Sequence, residues 1–267
     1  FAFGGESPDE EIGGAGGTLA SRRNIIRNNV FDHTLIYALR MVTYPGQGTC
    51  VDNKIYSNTF WHCGYSTTGP LKHDNWSDDY THAILFVTEG ANVQNNCVKN
   101  NIFYDNKNLR DATRPVIKTG GALPTMQIIE NNWLEEGDPK FTNIAGTPDP
   151  MDGDQFNLTL QASSPSIDDG GALTTITSAS GSGTVFTVAD AGYFMDGWGI
   201  PGVVGDQIQI LGTSQTARIT NVNYDTKTIT VDMTLTWTQG QGVTLAYVGS
   251  APDLGAFEYG SQPAIRY

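Results

Sequence analysis

The trio Lys72-His73-Asp74 puts an amine, an imidazole and a carboxylate side by side. It sits in a polar, aromatic stretch, residues 64–80, that also carries Trp76, Asp78, Asp79 and Tyr80, and His82 follows just beyond it. Such groups could cleave a uronic-acid polymer by β-elimination. That reaction needs a base for the proton next to the carboxylate, a cation to neutralise the carboxylate, and an acid for the leaving oxygen. Lys72, His73 and His82 are the candidate catalytic residues. Arg40, Arg114 and Lys118 are the candidate cations, since a guanidinium grips a carboxylate bidentately. Tyr80 and Trp76 are candidate substrate contacts. Glycoside hydrolysis would instead need two carboxylates at a set separation; Asp74, Asp78 and Asp79 supply the groups, and sequence does not fix the distance. A variable surface loop would have the same composition.

Other chemistry is thinly represented. GxSxG, HExxH and a Gly-rich phosphate loop ending in Lys-Ser or Lys-Thr are all absent from the sequence. No metal or organic cofactor is required by any motif. Calcium is the ion the chain could hold, through Asp149, Asp152 and Asp154 around Gly153, although acidic turns are common and this one lacks the full EF-hand spacing. The three cysteines, Cys50, Cys63 and Cys97, show no CxxC spacing, so a zinc site is not expected. One disulfide and a leftover thiol are compatible with the sequence, and so is a buried apolar role for Cys97.

These side chains need a scaffold, and the scaffold is a repeat. Four segments align, starting at Asn24, Asn53, Asn96 and Gln127. The third column is Ile26, Ile55, Val98, Ile129, and the eighth is Phe31, Phe60, Phe103, Leu134; both should face a core. The sixth is Asn29, Asn58, Asn101, Asn132. Asn tolerates a left-handed backbone and suits a tight corner between strands, and stacked Asn side chains can bond down a ladder. The fourth column, Arg27, Tyr56, Lys99, Glu130, should face out. The tenth, His33, His62, Asp105, Glu136, reads as an outer ladder or as an acid–base or metal site. Short strands, an Asn corner and one rung per unit describe a parallel β-helix whose rungs stack at about 4.8 Å.

A second set of strands runs through residues 35–43 and its counterparts. Aligning Thr43, Thr88 and Thr119 places Met41, Phe86, Ile117 and Leu39, Ile84, Pro115 inward by period two. Arg40, Arg114 and Lys118 then fall on outward columns and form a basic patch on an acidic protein.

The formal net charge of −13 argues against nucleic acid and anionic membrane as partners of the whole surface. No apolar run is long enough to span a membrane. The chain begins Phe1-Ala2-Phe3 and reads as a processed product lacking earlier rungs. Exposed rung ends would invite end-to-end self-association.

Towards the C-terminus, "DPKF", then "FNLTLQASSPSIDDGG", and later Pro252-Asp253-Leu254-Gly255-Ala256-Phe257-Glu258-Tyr259 resemble the ending of secreted bacterial right-handed parallel β-helix proteins of the pectate-lyase-like superfamily. The resemblance covers about residues 20–170 and 251–260. It implies the fold, a secreted, extracellular location and a polysaccharide partner. It carries no catalytic role to a particular residue, because the family's catalytic motifs are not matched. Residues 172–251, between the two parts of that ending, alternate like six short strands and suggest an inserted unit. Tyr193, Phe194, Trp198 and Trp237 there could stack on sugar rings or build a small core.

The expected fold is therefore all-β: a right-handed parallel β-helix over residues 1–171, an inserted small β-barrel or sandwich over 172–251, and a return strand and tail over 252–267. The expected function is binding or degradation of an extracellular polysaccharide, with a lyase as the sharper form. The alternative is a non-catalytic structural, adhesion or filament-forming β-helix protein.

Overall fold

The computed structural model describes residues 2–5, 20–34, 37–43, 49–64, 82–88, 93–106, 116–119, 127–145 and 156–261. They are all-β, with no helix among them. The chain divides into two compact units, Phe1–Pro165 with Leu254–Phe257, and Ser166–Asp253 with Glu258–Tyr267.

The first unit is built of stacked parallel sheets, an arrangement consistent with a parallel β-helix. Three successive turns visit four sheets in the same order, and the described residues of the fourth turn have strands in sheets A, C and D. Sheet A holds β1 (Ala2–Gly5), β5 (Tyr37–Thr43), β9 (His82–Thr88) and β13 (Ile117–Thr119). Sheet B holds β2 (Ala20–Arg22), β6 (Thr49–Val51) and β10 (Val93–Gln94). Sheet C holds β3 (Ile25–Arg27), β7 (Lys54–Tyr56), β11 (Cys97–Lys99) and β14 (Ile128–Glu130). Sheet D holds β4 (Val30–Asp32), β8 (Thr59–Trp61), β12 (Ile102–Tyr104) and β15 (Trp133–Leu134). All pairings in these sheets are parallel, and those of sheets C and D join equivalent columns of the repeat, as in Ile26↔Ile55 and Phe60↔Phe103.

The corners explain the sequence. Positive φ recurs at every fifth residue of a rung: Arg23, Asn28 and His33 in one, Asp52, Ser57 and His62 in the next, Asn95, Asn100 and Asp105 in the third. The left-handed residue is thus the fifth column, not the sixth as expected. The sixth column has another task. Asn29 Nδ2 donates to Asn58 Oδ1 at 3.1 Å, Asn58 to Asn101 at 3.0 Å, and Asn101 to Asn132 at 2.8 Å. A second ladder runs through the first column, Asn24 to Asn53 to Asn96 to Gln127. The asparagines of both ladders each follow a left-handed corner residue, where the strand's own hydrogen bonding is interrupted, and a ladder side chain of the next rung supplies the missing acceptor.

Inside the rungs lies a core of Ile55, Val98, Phe60, Phe103, Leu39, Met41, Ile84 and Phe86, all fully buried. Phe60 is stacked between Phe31 and Phe103, with centroids at 4.7 and 4.6 Å. Leu134, aligned with these rings, is exposed instead.

Two expectations are corrected, and the open question of the cysteines is answered. Tyr56, expected to face solvent, is fully buried, and Lys54 and Cys97 beside it are buried too. The register of sheet A is shifted by two residues on its last strand, β13: Leu85 pairs with Arg40 on one side and Lys118 on the other, and Phe86 pairs with Thr119. A shift of two preserves which face a side chain takes, so alternation alone could not detect it. All three cysteines are free and buried, with no disulfide. Burial, first of all, pushes the Cys50 and Cys63 thiols up to about 11.

After the last rung, β16 (Phe141–Asn143) and β17 (Asn157–Leu160) pair antiparallel. The segment Leu254–Phe257 returns to the helix. Gly255 N donates to Asn100 O at 2.9 Å, and Ala256 N donates to Thr59 Oγ1 at 3.0 Å. Gly255 has φ of 91°, and a Cβ there would lie 2.8 Å from Ile102 Cδ1, so both backbone and space require glycine.

The second unit is a six-stranded antiparallel sheet of β18 (Thr174–Thr175), β19 (Gly181–Thr187), β20 (Gln207–Ile210), β21 (Thr216–Asn223), β22 (Thr228–Trp237) and β23 (Gly242–Leu245). Its order is β18-β23-β20-β21-β22-β19. The isolated bridge Ile176↔Val188 lies just beyond the two end strands, and the sheet curls into a half-barrel. Phe186, Phe194, Ile208, Ile219, Ile229 and Leu235 fill it. Tyr193, Phe194 and Trp237 are buried, so they serve this unit's packing rather than a sugar surface; Trp198 is exposed.

Candidate functional site

The strongest cluster of titratable side chains lies at the corner that follows sheet D. Successive rungs place His33, His62 and Asp105 there, each with positive φ. The two imidazoles stack, with centroids 4.7 Å apart and planes 15° from parallel. His62 Nε2 lies 2.8 Å from Asp105 Oδ2, and His33 Nδ1 contacts Asp32 Oδ1. Trp61 stands edge-on to both imidazoles, and Phe156 stacks on His33 at 5.4 Å. The His and Asp side chains are half-buried, within reach of solvent.

The fourth rung ends this column differently from the expected register. Its left-handed corner falls at Glu135, one residue before Glu136. The two Glu135 oxygens accept from Asp105 N at 2.8 Å and Asn106 N at 2.7 Å. Asn106 Oδ1 in turn accepts from Cys63 N, a short third ladder that the sequence pattern did not reveal.

The electrostatics follow from packing. Burial lowers the His33 pKa below its ordinary value; the neighbouring His62 adds to the drop, and Asp105 opposes it. A stacked pair resists double protonation. Asp105 Oδ2 lies within hydrogen-bond distance of His62 Nε2 and so orients the imidazole, a carboxylate–imidazole pairing of the kind general acid–base chemistry uses. Among the described residues no group of three or more His, Cys, Asp or Glu is arranged to hold a metal ion.

The basic column of sheet A has a different character. Arg40 and Lys118 occupy one register column, separated by Leu85. Arg40 is only 9% exposed, and its guanidinium carbon lies 5.9 Å from the centre of the Tyr37 ring. His82, paired in register with Tyr37, is 1% exposed. The outward face of this sheet is therefore covered at Arg40 and Leu85, where a solvated surface was expected. Lys72, His73, Trp76, Tyr80 and Arg114 lie outside the described residues, as do Asp74, Asp78, Asp79 and the Asp149, Asp152, Asp154 cluster. Trp61 and Phe156 were missed as site residues because they are far apart in sequence and carry no motif.

No family model matches the chain. Searches among curated proteins and among solved structures also give no match.

Proposed function

We propose that this is a secreted, extracellular β-helix protein that engages a polysaccharide, and in its sharper form cleaves a uronic-acid polymer by β-elimination. The observation that carries this reading is the His62–Asp105 pair, 2.8 Å apart, at a solvent-reachable corner beside Trp61. His62 is suited to remove the proton next to a uronate carboxylate, with Asp105 orienting the ring. Trp61 and Phe156 wall the imidazoles on the protein side. The parallel stacking of rungs, taken as right-handed by the general rule for parallel crossovers, agrees with the pectate-lyase-like resemblance of the C-terminal ending.

The test is a panel of uronic-acid polysaccharides followed by the absorbance of the unsaturated product. Activity lost in His62→Ala and retained in part in Asp105→Asn supports the reading. Product formation untouched by both variants moves the chemistry elsewhere, and Lys72, His73 and His82 become the next substitutions.

The competing reading is a structural or adhesive β-helix. It is favoured by the amide ladders, which tie four successive rungs together along the length of the helix. Absence of binding to any acidic or neutral glycan would leave this reading in place.

A further inference from the structure

Residues 196–206 of the barrel form a loop whose frame is polar and whose tip is not. Asp196 Oδ2 accepts from Val222 N, and Asp196 Oδ1 accepts from Trp198 N, both at 2.9 Å. Asp206 Oδ2 accepts from Met195 N at 2.9 Å. Two tight turns follow in the tip, Ile200 N to Gly197 O and Val203 N to Ile200 O. Gly197, with φ of 91°, lets the loop close on itself: a Cβ there would sit 2.5 Å from Val203 O. The tip, residues 198–204, reads Trp-Gly-Ile-Pro-Gly-Val-Val and has no ionisable side chain. Trp198 is 54% exposed and Val204 61%, and Ile200 and Val203 are exposed as well. The indole N–H donates to Tyr224 Oη, whose hydroxyl donates to Phe194 O, so the ring is held in place with a face open.

A braced loop that presents four large apolar side chains to water implies a partner. A glycan needs polar groups to fix its hydroxyls; here both carboxylates, the indole N–H and the Tyr224 hydroxyl are engaged within the loop's own frame. A stable protein interface needs about 800 Å² from each side, more than seven residues of one loop can offer. Lipid asks only for apolar contact, and Trp favours the headgroup boundary. The strongly negative chain disfavours an anionic surface. We infer that residues 198–204 are a membrane-interface contact that seats shallowly in the headgroup region of a zwitterionic bilayer.

The test uses the intact chain and phosphatidylcholine vesicles, with and without phosphatidylglycerol. The wild type should co-sediment with phosphatidylcholine, and less with the anionic mixture at low salt. Brominated lipid should quench its Trp fluorescence, and Trp198→Phe should lose that quenching while the other four tryptophans remain. The pair Ile200→Asp with Val204→Asp should lower partitioning by about tenfold or more, with an unchanged melting curve; Val204→Ile should bind like wild type. The inference is overturned by a wild type that ignores both vesicles, or by an aspartate pair that binds as well as wild type. It is equally overturned if light scattering finds a dimer dissolved by the aspartate pair with no vesicle binding, which assigns the tip to a second copy.

Discussion

Asn101 Oδ1 accepts two hydrogen bonds from Asn58, one from its side-chain Nδ2 at 3.0 Å and one from its backbone N at 2.9 Å. One side-chain oxygen thus completes both the amide and the backbone of the rung before it. All three steps of the ladder repeat this geometry in the same direction, from each rung to the next.

Asn101→Ala should therefore leave the buried backbone N–H of Asn58 without its acceptor, costing about 1–3 kcal/mol, while Asn58 Nδ2 keeps the carbonyls of Ile26 and Tyr56. Asn132→Ala, at the partly exposed end of the ladder, should cost less because water can reach its neighbour. Urea unfolding of the two variants checks the order.

Phe60 and Phe103 are both fully buried in the ring stack. Phe103→Ala should cost roughly 3–5 kcal/mol, and Phe60→Ala at least as much, because it removes the ring that touches a neighbour on each side. A melting temperature unmoved by either change would refute the packing.

The two units should respond oppositely to pH. The His33 pKa is held below its ordinary value of 6.5, chiefly by burial. The unfolded chain then takes up the proton first, so the stability from neutral His33 is complete above about 6.5 and erodes as pH falls through the lowered folded value. In the barrel unit, burial, then repulsion from Asp253 and Asp168, pushes Glu258 from 4.5 up to about 7. The folded state holds that proton longer, so its contribution is complete below about 4.5 and is lost as pH rises through about 7. Melting profiles across pH should show the second slope vanish in Glu258→Gln and the first in His33→Phe.

How much of this was legible in the sequence varies by residue. Burial at Ile55, Val98, Phe60 and Phe103, and the Asn stack, followed from residue type and period. The left-handed corner was misplaced by one column because Asn fills both columns five and six in three rungs. Tyr56 and Arg40 were read as outward and solvated; alternation reports which face a side chain takes, and it cannot say whether that face is covered. The His33–His62–Asp105 column was visible as an alignment, whereas Trp61 and Phe156 beside it required the third dimension.

The barrel unit offers a direct test of independence. Gly170 N donates to Pro252 O at 2.7 Å, so the chain leaves and returns at nearly one point. Deleting residues 172–251 and joining the ends should leave a soluble protein with a cooperative β-helix transition, read by circular dichroism. Loss of all soluble protein would mean that the unit belongs to the main core.

Successive ladder partners are 29, 43 and 31 residues apart along the chain, yet the first-column bonds stay at 2.7, 2.8 and 3.0 Å. Distance along the chain and distance in space are thus uncoupled at the turn between rungs. Lengthening that turn from the shortest to the longest of these spacings costs less than about 1 kcal/mol of closure entropy. The helix behaves as a rack of fixed shelves with a port at each level, where a foreign peptide could be grafted without re-spacing the shelves above or below.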